Sequence, residues 1–288
     1  MNEASQALAA SRGKATGCHF AWGAAAALAI GALVPAAAVA QAAQPGPWKY
    51  AASIYLYAPT IGGSTRFPVD SGGNTVNITA EQILDALKMT FMGTFDAHNG
   101  SWGVLTDLVY VDLGASKSNS RDFTIGNIGL PVGTTADLDL DYKVTSWTIA
   151  GEYRVLSDPS LTLDLLAGTR LLDQRQRLRW SISGDIGPIA PASRTGAAEA
   201  NQRVWDAIIG VKGRYVFGAN RQWAAPFYVD VGTGQSDSTV QAAAGISYAF
   251  GWGELSGLWR YVGYHFKAGN PITEMNFNGP QFGAVFRW

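Results

Sequence analysis

Cysteine is almost missing from this chain. Cys18 is the single one in 288 residues, so no disulfide framework can form, because a bridge needs a pair. Charge is also scarce. Asp, Glu, Lys and Arg make up 15%, against about 25% in an ordinary soluble domain. The 21 basic and 22 acidic residues leave a net charge of −1. That gives no basic footprint, so no nucleic-acid partner is expected. Histidine is limited to three residues, which starves acid–base and metal chemistry of its usual group. Low charge does not mean disorder here, since disordered chains are poor in aromatics and 11% of this one is Phe, Trp or Tyr. Glycine is plentiful, at 34 residues.

The first forty residues read as an export leader. Arg12 and Lys14 precede an apolar run from Ala21 to Val34, and Ala38-Val39-Ala40 offers the small residues a signal peptidase reads. Cleavage is expected after Ala40, which makes 1–40 a signal peptide and 41–288 the barrel domain described next. A membrane anchor is the alternative, and the Ala-rich run and Pro35 argue against it. Cys18 lies before the apolar run, not after it as in a lipoprotein. Beyond residue 40 nothing approaches the roughly 20 apolar residues of a spanning helix.

The remainder shows ten stretches of period-2 alternation, at about 48–59, 88–98, 102–116, 138–156, 161–180, 200–217, 223–234, 238–250, 255–268 and 276–288. Connections after even strands are tight, as in His98-Asn99-Gly100-Ser101 and Ser157-Asp158-Pro159-Ser160. Several after odd strands are long, over about 60–87, 117–137 and 181–199. An even strand number with short turns at one end and long loops at the other predicts an all-β fold: a transmembrane antiparallel up-and-down barrel of ten strands, eight being the alternative. Within the first long loop, Thr79-Ala80-Glu81-Gln82 has the form of a capping box, so a short helix is expected there.

Strand parity sorts the chemistry. In 146–155, Trp147, Ile149, Gly151, Tyr153 and Val155 share one face, while Thr148, Glu152 and Arg154 share the other. In 205–215, Trp205, Ile209, Val211 and Tyr215 oppose Asp206, Lys212 and Arg214. The apolar set is expected to face lipid, with aromatics such as Trp48, Tyr50, Trp102, Tyr215, Trp223, Phe250 and Trp252 in a girdle near the turns. The polar set is expected to fill the lumen as a paired charge network. Its acids are Asp96, Glu152, Asp164, Asp206 and Asp230; its bases are Arg154, Arg170, Lys212, Arg214 and Arg260, with Lys49 and Arg287. Asp107 and Asp112 fall on opposite faces of one strand, which calls for a bulge or places Asp112 above the membrane.

A tight turn about Asp158 predicts Ser146 opposite Arg170, Thr148 opposite Gly168, Glu152 opposite Asp164 and Trp147 opposite Thr169. The same register gives four opposite-charge pairs above the membrane: Lys143 with Asp173, Asp141 with Arg175, Asp139 with Arg177 and Asp137 with Arg179. Asp137-x-Asp139-x-Asp141 also begins like a calcium loop, but it lacks the Gly and Glu that such a loop needs at positions six and twelve.

The last stretch, Gln281-Phe282-Gly283-Ala284-Val285-Phe286-Arg287-Trp288, resembles the C-terminal signal of outer-membrane barrels. The matching positions are Gln281, Gly283, Phe286 and Trp288. That resemblance implies export to the outer membrane of a Gram-negative bacterium, handling by the barrel-assembly machinery, and contact with lipid and lipopolysaccharide. A second resemblance runs through Ile83-Leu84-Asp85, Met89–Ala97 and Gly100–Tyr110. This stretch is similar to a family of uncharacterised proteobacterial outer-membrane barrel proteins, which implies fold and location and brings no activity. Beyond residue 40 the histidines are His98, in a turn, and His265, whose parity points to lipid. No triad, metal set, phosphate loop or dinucleotide fingerprint accompanies them. Hence no enzymatic role, catalytic residue, metal or cofactor is expected. The leading expectation is a structural or surface-interaction barrel with a closed, salt-bridged lumen. A narrow porin-like channel or transporter for small solutes is the alternative, and an outer-membrane enzyme comes third.

Overall fold

The computed structural model describes residues 46–65, 74–78, 80–120, 124–125, 128–129, 134–184, 194–270 and 272–288. The leader reading of 1–40 lies outside them. The elements run β1 (Lys49–Tyr57), β2 (Thr60–Thr65), β3 (Asn74–Ile78), α1 (Ala80–Asp85), β4 (Leu87–His98), β5 (Trp102–Ser120), β6 (Thr124–Ile125), β7 (Ile128–Gly129), β8 (Thr134–Ser157), β9 (Leu161–Gly184), β10 (Arg194–Phe217), β11 (Trp223–Gly234), β12 (Ser238–Ala249), β13 (Glu254–His265) and β14 (Ile272–Arg287).

Ten of these strands close a barrel. Each pairs antiparallel with its neighbour, and β14 pairs with β1 to shut the ring. β1 and β2 lie on β14 in one unbroken register, from Ala51 opposite Arg287 to Ser64 opposite Glu274. The chain only pauses at Ala58-Pro59, where proline has no ladder donor. β3 folds back on β2, and α1 leads into β4. The wall is uneven: β8, β9 and β10 have 24 residues each, while β11, β12 and β13 have 12.

Parity holds around the ring. Ile54, Ile209, Ile246, Phe282 and Trp259 point outwards and are exposed, whereas Thr148, Glu152, Asp164, Arg170, Asp206 and Arg260 point inwards and are buried. Aromatic rings touch in series near the turns, from Trp223 through Tyr248, Phe250 and Trp252 to Phe286, with Tyr50 packed on Phe95 and Trp288. On β10 the outward set runs from Tyr215 to Trp205, which spans about ten residues, the length a tilted strand needs to cross a bilayer. Trp205 meets Trp147 edge-on. The next outward groups beyond them are Arg203 and Thr145.

Two expectations are corrected. The β8–β9 register is two residues away from the expected one. Thr148 lies opposite Arg170, Ser146 opposite Leu172, Glu152 opposite Leu166 and Trp147 opposite Leu171. The reason is the wider connection: Asp158 N–H bonds Leu161 O at 2.9 Å, and a bulge follows between Arg154 and Leu156. An even shift keeps every side chain on its face. None of the four expected opposite-charge pairs is therefore in register. Asp141 now faces Arg177, Asp139 faces Arg179, and Lys143 faces Arg175, a like charge. The ion pairs reach sideways: Lys88 to Asp141 at 2.6 Å, Arg179 to Asp141 at 3.5 Å, Lys143 to Asp112 at 2.8 Å and Arg177 to Glu199 at 3.0 Å. Asp173 takes Arg203. The pairing with Lys143 also settles Asp112. It stands on the outer surface above the membrane band, and the β5–β8 register runs without a shift from Trp102 to Lys117.

Candidate functional site

Among the described residues, charges from all sides of the barrel converge in its interior. The interior has two layers. At the turn end β4, β8, β9 and β10 alternate polar residues inwards. Lys212 reaches Asp96 and Glu152, the latter at 2.5 Å. Arg154 grips Asp164 with two bonds of 2.7 and 3.0 Å. Across the lumen Glu254 accepts from Arg214 at 3.0 Å and from Arg287. Between these groups lies a chamber of about 350 Å³.

A layer of arginines closes that chamber from above. Arg260 donates to Asp107 at 2.6 Å and to the Tyr55 hydroxyl at 2.9 Å, and its guanidinium lies 5.4 Å from the Tyr57 ring. Tyr55 in turn donates to Asp107. Arg170 is 0% exposed; it bonds Asp230, Thr148 at 3.1 Å and Thr239 at 3.3 Å. Charges held this deep are tolerated only when paired and hydrogen-bonded. Among the described residues Asp206 makes no arginine bond. It accepts from Ser236, from the backbone N–H at 2.9 Å and the hydroxyl at 2.6 Å, and so caps the short β11–β12 turn.

Above the arginines the interior turns apolar. Tyr142, Val144, Leu172, Val204, Val262, Tyr264 and Met275 form one buried cluster, and Ile83 of α1 packs into it. A small adjoining pocket of about 60 Å³ is lined by Met92, Val109, Val144 and Val262, together with Arg260. The expectation of a lumen polar throughout is thus corrected. Charge fills only the turn half, because past Arg170 the inward positions of β8, β9 and β10 pass from Thr148, Arg170 and Asp206 to Val144, Leu172 and Val204.

The structure brings Asp96, Glu152, Arg154, Asp164, Lys212, Arg214, Asp230, Arg170 and Arg260 together in the lumen. Asp206 is inward but serves the turn. Three partners escape the sequence pattern. Asp107 is one, although its odd parity matches the inward Leu105 and Val109. Glu254 lies one residue before the strand expected from 255. The third is His98. The pattern puts it in a turn, but it is the inward, buried last residue of β4. Its Nδ1 accepts from Gly100 N–H at 2.7 Å and its Nε2 lies 3.7 Å from Asp164. His98, Glu152 and Asp164 offer donor atoms within 4.8 Å of one another. They do not fit a metal. An Nδ1 that accepts a bond leaves the ring proton on Nε2, and Lys212 and Arg154 already hold the two carboxylates. His265 points outwards, 3.8 Å from Glu274.

No family model matches the chain, and no curated protein matches it. Similar solved structures are outer-membrane β-barrels. The outer membrane protease OmpT of Escherichia coli is 11% identical, with 85% of this chain and 97% of that chain covered and a TM-score of 0.46. Ail, the attachment invasion locus protein of Yersinia pestis, is 12% identical over 84% and 99%, TM-score 0.29. The P. putida toluene transporter TodX is 9% identical over 85% and 90%, TM-score 0.29. These likenesses are of fold. One expectation is corrected by them. The absence of enzymatic function, argued from few histidines and no matching motif, does not stand as a conclusion: an outer membrane protease is among the similar structures.

Proposed function

We propose that this chain is an outer-membrane protein whose barrel is closed to through-passage, with a structural or surface-interaction role carried by the tall β8–β10 wall. One observation carries the reading. Inside the lumen the Arg170–Asp230 pair is fully buried and the Arg260–Asp107 pair nearly so, and a packed apolar layer lies on top of them. The outward apolar surface with its aromatic girdle supports a membrane setting. The residues expected to act in assembly, Gln281, Gly283, Phe286 and Trp288, sit on the closing strand, where Phe282 and Trp288 face outwards. Export through residues 1–40, recognition by the assembly machinery and contact with lipopolysaccharide belong to the same reading. The test is twofold. The protein should fractionate with the outer membrane and migrate differently on gels before and after boiling. In planar bilayers at high salt it should give no unitary steps; regular steps would defeat the closed lumen.

The turn-side chamber favours a second reading, a narrow path for small solutes. It requires the arginine layer to part, so solute-dependent conductance would select it.

A further inference from the structure

The turn-side chamber is larger than a charge network needs. Its volume of about 350 Å³ falls within the range of small-molecule sites, about 300–1,000 Å³. The room comes from one wall. Where β4, β8 and β10 send in Asp96, Arg154 and Lys212, strands β12, β13 and β14 send in Ala243, Leu258 and Val285, with Ser256 and Gly283 beside them. These short groups leave open the space that the ions on the other wall do not fill. The inner end of the chamber is shut by Arg260 and Asp107, whose side chains are 5% and 9% exposed. Its mouth is at the turn end, where the Arg287 side chain is 48% exposed.

The cations around the chamber are not equally spent. Arg154 gives both Nε and Nη2 to Asp164, and Lys212 lies between Asp96 and Glu152. Arg214 and Arg287 instead converge on a single atom. Arg214 Nη2 donates to Glu254 Oε2 at 3.0 Å, and Arg287 Nη1 donates to the same oxygen. Among the described residues these are the only side-chain hydrogen bonds of the two arginines. Two positive groups thus share one negative group. Burial is as lopsided as charge. The Glu254 side chain is 3% exposed, against 29% for Arg214 and 48% for Arg287. A molecule at the mouth therefore meets guanidinium groups, with the carboxylate behind them. A guanidinium with donors to spare suits the planar, two-oxygen geometry of a carboxylate.

We propose that the chamber is a blind binding site for a small organic carboxylate. The carboxylate end lies on Arg214 and Arg287 at the mouth. The apolar body, an aryl ring or a short alkyl chain, lies against Ala243, Leu258 and Val285. The inference goes beyond the reading of a closed barrel, because it gives the lumen a ligand that enters and leaves by the same end. In an outer-membrane setting that end faces the periplasm.

The test uses the full barrel in lipid nanodiscs with 4-fluorobenzoate as probe, read by fluorine NMR line broadening. Saturable broadening that benzoate reverses is the expected result. Benzamide, which has the same shape without the charge, should compete about tenfold more weakly or worse. Arg287→Gln removes one guanidinium and should weaken binding by about tenfold or more. Ala243→Leu fills the uncharged wall and should weaken it to a similar degree, with the gel shift on boiling retained in both variants. Four results would overturn the proposal: no saturable broadening beyond that of empty nanodiscs, benzamide competing as well as benzoate, unchanged affinity in either folded variant, or inorganic phosphate displacing the probe as readily as benzoate, which would leave the apolar wall without a role. Unitary steps in planar bilayers would defeat the closed lumen and leave the binding result standing. Absence of binding would leave the closed lumen standing.

Discussion

The two halves of the barrel interior solve the same problem in opposite ways. Near the turns the inward faces carry Asp96, Glu152, Asp164, Lys212 and Arg154, which neutralise one another around a chamber. Near the loops the same strands turn Val144, Leu172 and Val204 inwards and pack them without a charge. Arg170 and Arg260 mark the border, each with a carboxylate, hydroxyls and little exposed surface. A polar half gains a unique register, because each ion has a particular mate. An apolar half gains density but tolerates exchange of one hydrophobe for another. The layer that blocks the lumen is thus specified by charge, and the layer that seals it is specified by volume.

Predictions can break this contrast in order of expected size. Asp230→Ala strands Arg170 in a dry interior and should cost about 3–5 kcal/mol, seen as a lower urea midpoint in micelles. Asp230→Leu combined with Arg170→Met should recover most of that loss. If the single variant were as stable as wild type, the border would not depend on charge. In the apolar half, Leu172→Ala should cost about 2–4 kcal/mol through the cavity it leaves, while Leu172→Met should cost under about 1.5 kcal/mol. An equal loss for both would deny that volume alone matters there. Gly168→Ala is smaller. A Cβ at that position would stand 2.1 Å from Ile149 O and 2.5 Å from the Ala150 Cα, so overpacking should cost about 1–3 kcal/mol, read from the same unfolding curves.

The smallest effect lies outside both layers. The hydrogen bond from Lys88 holds the Asp141 carboxyl below its ordinary range, and Arg179 adds to it. Asn201 and Arg177 do the same for Glu199. A carboxyl whose folded pKa is depressed adds stability above its unfolded value and loses it as the pH falls through the folded one. The loop-side ends of β8–β10 should therefore lose amide protection in hydrogen exchange from about pH 5 down to about pH 2. The amides between Trp147 and Tyr153 should not change. Uniform loss along the strands would show that the outer ion pairs do not support the wall locally.

Much of the fold is legible in the amino-acid order. Alternation depends on neighbours two residues apart, so the strands, their faces and the turn end follow from local pattern. The Gly100 turn is an example, as its φ of 97° suits the residue present. Register is less legible, because one bulge near Arg154 resets a whole hairpin and leaves no mark in the alternation. Partners are least legible. Asp107 and Arg260 are 153 positions apart, and nothing near either residue names the other. The change from polar to apolar filling is hidden for a similar reason. Val144 and Leu172 look like ordinary strand residues until the wall behind them is known to be protein instead of lipid.

The difference in height between the 24-residue and 12-residue strands has a consequence in the plane of the bilayer. A strand advances about 3.3 Å per residue, so one flank of the rim stands well above the other. A ring of equal strands would look alike from every compass bearing. This one has a parapet on one bearing and a low sill beside it. A neighbour diffusing alongside it meets either a charged antiparallel sheet or bare loops, according to the direction of approach. Crowding in the membrane is thereby felt as a torque as well as a pressure.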